Sequence, residues 1–133
     1  VSRAAEPRRP TLSIVVPALD EADAIAATVA AARAHADEVV VVDGGSRDAT
    51  PDRARAAGAI VVDAPRGRAS QMNAGAARAH GEVLLFLHAD CRLPAGAGDA
   101  VRGAIAAGRR WGRFDVRLES SRPALAVIGG AMN

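Results

Sequence analysis

The hydrophobic residues of this chain fall into two alternating patterns. "TLSIVVP" (Thr11–Pro17), "EVVVVD" (Glu38–Asp43), "AIVVD" (Ala59–Asp63) and "EVLLFLHAD" (Glu82–Asp90) are short, nearly unbroken apolar runs. Runs of this length, bounded by turn residues, read as strands buried on both faces. Between them the period changes. In "LDEADAIAATVAAARAH" (Leu19–His35), Ile25, Val29 and Ala32 share one helical face. Asp20 is placed to cap that helix, and Glu21 and Asp23 suit its first turn. Thr50-Pro51-Asp52 has the order of a helix start: a capping hydroxyl, proline at the first position, then an acid. The helix it opens ends near Gly58. "SQMNAGAARAH" (Ser70–His80) predicts a third helix stopped by Gly81, and Pro94 opens a glycine-broken helical stretch to about Ala107. "RFDVRLE" (Arg113–Glu119) departs from the series. Phe114, Val116 and Leu118 alternate with charged residues, the pattern of a strand with one wet face, and a further helix-like segment starts at Pro123.

Continuous apolar strands alternating with helices specify an α/β fold, a mostly parallel sheet with helices on both faces. Ligands of such sheets bind in the crevice beyond the carboxyl ends of the strands. Pro17, Asp43, Asp63 and Asp90 all stand at or just beyond strand carboxyl ends, which predicts that they share one rim. Three acids on one rim repel each other unless hydrogen-bond donors or positive charge sit among them. A length of 133 residues suits one domain with a real core. Residues 1–10, "VSRAAEPRRP", are polar and proline-bearing and are expected to be a disordered segment ahead of a domain over residues 11–133.

Composition narrows the function. Half the residues are hydrophobic but only 2% aromatic, so the core is built from Val, Leu, Ile and Ala. All 17 basic residues are arginine, mixed with 15 acids to a formal charge of +2. No basic run with interleaved aromatics is present, so no nucleic-acid partner is expected. The single Cys91 excludes an internal disulfide framework and a multi-cysteine zinc site, and an ordinary thiol in a reducing cytoplasm outweighs a catalytic one. No run reaches the ~18 apolar residues of a transmembrane segment. No glycine-rich dinucleotide fingerprint follows the first strand, no P-loop lysine exists, and there is no "GxSxG" elbow.

Three stretches carry chemistry: "SIVVPALDEADAI", "VVVVDGGSRDAT" and "GRASQMNAGAARAHGEVLLFLHAD". In this order and spacing they resemble the nucleotide-binding half of the family 2 glycosyltransferases, which have the GT-A (Rossmann-like) fold. The resemblance runs from about Thr11 to Leu118. It implies that Pro17, Ala18 and Leu19 line a base pocket through their backbone and that Glu21 reaches the base or ribose. Asp43 would accept a hydrogen bond from a uracil-type base, with Gly44 and Gly45 turning the chain without filling the pocket. Arg68, Gln71 and Asn73 would face ribose and phosphates near a helix N-terminus. Asp90 would be the last acid of the family's Asp-X-Asp metal motif and would bind Mg²⁺ or Mn²⁺, with His88 in place of the first acid.

The resemblance implies an inverting transferase that takes a sugar from a nucleotide-diphosphate sugar, UDP-linked in the first instance, to an unnamed acceptor. The contrasting reading is a nucleotide-sugar-binding module with no transferase activity of its own; a third is a nucleotidyltransferase-like domain acting on nucleoside triphosphates. Asp99, Asp115 and Glu119 are the acids after Asp90, and none is placed as a general base, so the chain as given is expected to lack part of the C-terminal acceptor region. Uncovered sheet would then favour a homodimer, and the location would be cytoplasmic, at the membrane face for some acceptors. Asp48 and Thr50 read as a turn residue and an N-cap rather than ligands, and Asp63 as a turn residue. His35 and His80 read as structural. His88 is equally a site residue or a strand-end histidine with a backbone partner.

Overall fold

The computed structural model describes residues 8–115 of the chain. Four strands form one sheet: β1 (Leu12–Ala18), β2 (Glu38–Asp43), β3 (Ile60–Asp63) and β4 (Val83–Phe86). Their order is β3-β2-β1-β4 and every pairing is parallel, so all carboxyl ends lie along one edge. Four helices alternate with them: α1 (Ile25–Arg33), α2 (Thr50–Ala56), α3 (Arg68–Arg78) and α4 (Ala97–Ala106).

The unbroken apolar strands are explained by what lies on each side. Ile14 and Val16 of β1 and Val39 and Val41 of β2 pack with Ile25, Val29 and Ala32 of α1 and Ala54 of α2. The intervening residues, Val15, Val40 and Val42, face the other way and meet Ala74 of α3. Period-2 alternation puts successive side chains on opposite faces, so a strand roofed twice must be apolar throughout. Small side chains let the helices come close. A Cβ on Gly75 of α3 would meet Val15 and stand 2.8 Å from Val42.

Several boundaries differ from the sequence reading. Helix α1 begins at Ile25 rather than beside Asp20, and its N-cap, Ala24, makes no side-chain capping bond. The acids ahead of it are used in a loop, as described below. Thr50 is the first residue of α2 rather than its cap. Helix α3 starts at Arg68 and α4 at Ala97, with Pro94 accepting the Ala97 amide through its carbonyl. Strand β4 is not buried on both faces: Leu84 and Phe86 are exposed, while Leu85 and Leu87 pack into the α1-side core. Helix α3 packs mainly over β1, β2 and β3, which leaves that outer face of β4 less covered. Residues 109–115 form no strand, and Val116–Glu119 and the segment from Pro123 lie outside the described residues.

The opening residues that are described have partners. Arg8 pairs with Glu82, Arg9 with Asp99, and the Pro10 carbonyl accepts from Arg102 of α4. Among the described residues no helix is long and apolar enough to cross a membrane.

The packing predicts opposite effects for two helix glycines. Gly75→Ala drives a methyl into Val15 and Val42 and should cost about 1–3 kcal/mol. Gly103→Ala in α4 meets nothing within 4 Å and should stabilise by about 0.5–1 kcal/mol through helix propensity. Urea unfolding midpoints of the two variants check both signs.

Candidate functional site

The edge that carries the strand carboxyl ends also carries a cavity of about 360 Å³, within the range of small-molecule sites. Its floor is the end of β1 and the turn after it: Pro17, Ala18, Leu19 and Glu21. One wall is the start of α3, with Arg68, Gln71 and Met72. The other is the end of β4, with Phe86, Leu87 and His88. Seven of the eleven residues expected from sequence are therefore brought together. Asp43, Gly44, Asn73 and Asp90 are not among the lining residues, whereas Met72, Phe86 and Leu87 are and were not expected.

Gln71 is buried, and its role is structural as well as lining. Its carboxamide Nε2 donates to the carbonyls of Ala18, 3.0 Å, and Val42, 2.9 Å, while Oε1 accepts from the Gly67 amide, 3.2 Å. One side chain thus joins the ends of β1 and β2 to the start of α3. Gly44 makes room for it: a Cβ there would lie 2.7–2.9 Å from the Gln71 carboxamide atoms. The first glycine of "DGGS" therefore serves Gln71 rather than opening the pocket directly. Gly45 serves the turn, at φ 96°, a region that favours glycine.

The polar residues after β2 form a latch onto the loop after β1. Asp43 is buried and its carboxylate accepts from the amides of Gly45 and Ser46 and from the Ser46 hydroxyl. Ser46 Oγ in turn accepts the Asp20 amide, 2.9 Å, and Asp20 Oδ1 accepts the Arg47 amide, 2.8 Å. Thr50 Oγ1 accepts the Glu21 amide, 2.8 Å, and Asp48 accepts the Ala22 and Thr50 amides. Asp20 bends the chain at φ 51°, a conformation Asp tolerates better than most residues. These bonds fix Leu19 and Glu21 on the cavity floor, and they explain how acids coexist on this rim: Asp43 is satisfied by donors and Asp63 is exposed to water. Sequence reasoning missed the latch. Its signal was the density of short hydrogen-bonding side chains in "DGGSRDAT", more than one turn requires.

Beyond β4 the chain turns at once. Thr28 of α1 donates its hydroxyl to the Ala89 carbonyl, and the Cys91 amide donates to the His88 carbonyl, 3.1 Å. Ala89 is buried, while His88 and Asp90 on either side of it are exposed, with His88 Nδ1 3.7 Å from Asp90 Oδ1. This donor set fits a divalent cation that shares its remaining positions with water and diphosphate oxygens. Among the described residues no three His, Cys, Asp or Glu side chains gather into a larger cluster. Cys91 is exposed as a residue, yet desolvation of its thiol, helped by the Asp90 carboxylate, pushes its pKa up. That shift disfavours the thiolate, the nucleophilic form.

The two other histidines have structural contacts. The His35 ring accepts the Gly98 amide, 3.4 Å, and the His80 ring lies against Arg78 and Glu38.

An open parallel α/β sheet with a cavity beyond its first and fourth strands has the architecture in which small ligands are commonly bound at the carboxyl edge. Residues 13–110 match the profile of Glycosyl transferase family 2, and the chain belongs to that family, with its GT-A fold. It is 33% identical to a glucosyl-3-phosphoglycerate synthase of Mycolicibacterium paratuberculosis, over 63% of this chain and 30% of the relative. A crystal structure of glucosyl-3-phosphoglycerate synthase from Mycobacterium tuberculosis in complex with Mg²⁺ and UDP superposes with a TM-score of 0.58 at 30% identity, covering 64% of this chain and 35% of that one. The same enzyme in complex with Mn²⁺, UDP-glucose and phosphoglyceric acid gives 0.55 at 27% identity, covering 62% and 35%. The chain thus spans about a third of the length of these relatives.

Two outcomes follow from this geometry. Gln71→Leu removes the carboxamide's hydrogen bonds to the Ala18 and Val42 carbonyls and to the Gly67 amide, while the Ala18 carbonyl keeps the Gly44 amide. The loss should cost on the order of 1–3 kcal/mol, read from the urea midpoint. The Asp48 carboxyl is held below its ordinary value of 3.8, first by the Thr50 hydroxyl and then by backbone amides, against some desolvation. A depressed folded pKa contributes stability that is present above the ordinary value and lost as pH falls through the folded one. The Ala22 and Thr50 amide shifts should therefore titrate together below about pH 4 in the parent chain. In Asp48→Asn that titration should vanish.

Proposed function

We propose that this chain supplies the donor half of an inverting glycosyltransferase that takes its sugar from a UDP-sugar. The observation that carries the reading is the cavity built by Pro17, Ala18, Leu19, Glu21, Arg68 and His88 at the carboxyl edge. It lies within the residues that match the family, and similar structures hold UDP with Mg²⁺ or Mn²⁺.

The base enters over Pro17–Leu19, where Leu19, Met72 and Phe86 offer apolar contact and Glu21 a hydrogen-bond acceptor. Asp43 contributes as a base acceptor or through the latch it anchors. Arg68, at the start of α3, places a guanidinium and free helix amides toward the diphosphate, with Asn73 exposed one turn along. Asp90 holds the divalent cation, with His88 beside it. When bound, that cation neutralises the diphosphate as it leaves.

The acceptor side is less developed among the described residues. After Asp90 their acids are Asp99, which pairs with Arg9, and Asp115, which is exposed; neither lines the cavity. The second reading, a nucleotide-sugar-binding module with no transferase activity of its own, rests on this placement. Both readings carry a cytoplasmic location, at the membrane face if the acceptor is a lipid.

Calorimetric titration of the 133-residue chain with UDP, with and without divalent cation, tests donor binding. Asp90→Ala should abolish the metal-dependent part and leave the fold intact. Asp43→Asn should weaken UDP roughly ten-fold or more, the loss of one charged hydrogen bond. Unchanged metal dependence in Asp90→Ala contradicts the assignment. Acceptor-dependent release of UDP from a UDP-sugar separates the transferase from the binding module.

A further inference from the structure

We propose that His88 is a direct metal ligand beside Asp90, and that this nitrogen–oxygen pair makes the site select Mn²⁺ over Mg²⁺. The proposal rests on the donor-site reading above and adds to it the identity of the ion.

Both side chains are set by one tight turn. Buried Ala89, held through its carbonyl by Thr28, keeps its neighbours facing out. His88 and Asp90 are 57% and 68% exposed in their side chains, and their nearest polar atoms are 3.7 Å apart. Two donors on one ion, each at about 2.1 Å, stand about 3.0–3.4 Å from each other. A small side-chain rotation therefore brings both onto a common cation. His88 also lines the cavity, so an ion held there faces the bound ligand.

Among the described residues no hydrogen bond ties up the ring of His88. A strand-end histidine held by the backbone would show a carbonyl or amide on a ring nitrogen. Among the described residues its one polar neighbour is Asp90. An exposed histidine–carboxylate pair contributes little to stability by itself. As a ligand pair it has a clear chemical preference. Mg²⁺ requires near-octahedral oxygen coordination and here finds a single protein carboxylate, with no larger acidic cluster among the described residues. A first-row transition ion accepts the imidazole nitrogen as well and still takes diphosphate oxygens.

The test uses the 133-residue chain with UDP and either Mn²⁺ or Mg²⁺, in the parent, His88→Ala and His88→Asp. Calorimetry should show UDP bound roughly ten-fold or more tightly with Mn²⁺ than with Mg²⁺ in the parent. His88→Ala should lose the Mn²⁺ advantage, and His88→Asp should narrow the ratio by improving Mg²⁺. Pulsed electron paramagnetic resonance of the Mn²⁺–UDP complex should show a directly coordinated nitrogen in the parent and none in either variant. Absence of that nitrogen in the parent overturns the proposal, as does a Mn²⁺/Mg²⁺ ratio unchanged by His88→Asp. In those cases metal-assisted UDP binding that is lost in Asp90→Ala leaves the donor-site reading standing. If neither ion strengthens UDP binding to the parent chain, the proposal and that reading fall together.

Discussion

The candidate site depends on one buried carboxamide. Gln71 reaches from the first turn of α3 to the Ala18 carbonyl at the end of β1 and the Val42 carbonyl near the end of β2, and takes the Gly67 amide in return. A carbonyl oxygen can accept two hydrogen bonds, and at Ala18 the Gly44 amide takes one place and Gln71 the other. This tie from α3 to the strand ends sets how far the helix start stands from them, and so the width of the cavity between Arg68 and Ala18. The slot exists because position 44 carries no side chain. Gly75 works to the same end further along α3, letting the helix lie close on Val15 and Val42. Two missing side chains and one amide thus fix the wall on which the phosphates are proposed to rest.

The second constraint is the latch between the loops after β1 and β2. Asp43, Ser46, Asp48 and Thr50 serve as acceptors for loop amides, and the loop they hold presents Leu19 and Glu21. A loop bound this way is already ordered before ligand arrives, which lowers the entropic cost of binding. The opposite wall is built differently. Beyond β4 a single buried alanine, tied to α1 by Thr28, leaves His88 and Asp90 facing water. One side of the cavity is therefore rigid and hydrogen-bonded, and the other offers exposed, hydrated ligands ready for an ion.

Much of this was legible in the sequence. The four apolar runs became the four strands, parallel and in one sheet, and in the central β1 and β2 burial on both faces accounts for the near-continuous apolar pattern. The helix starts were less legible. Asp20 and Thr50 have the chemistry of caps, yet their hydrogen bonds go to a neighbouring loop across 27 and 29 residues, a choice that only tertiary proximity decides. Gly44 and Gln71 were each picked out as site residues, but not as partners, since nothing local links positions so far apart. Strand β4 reads as fully buried from its leucines; the exposure of Leu84 and Phe86 depends on what lies over the sheet edge, which local pattern does not encode.

The central claim is that nucleotide occupies the carboxyl-edge cavity between β1, α3 and β4. Amide chemical-shift mapping of the isotope-labelled chain titrated with UDP and a divalent cation tests it most directly. The account predicts saturable shifts centred on Ala18, Leu19, Arg68 and His88, with the latch residues Ser46 and Thr50 following. Shifts centred instead on the opposite end of the sheet, around Arg9, Asp37 and Arg102, where a smaller polar cavity of about 160 Å³ lies, would contradict it.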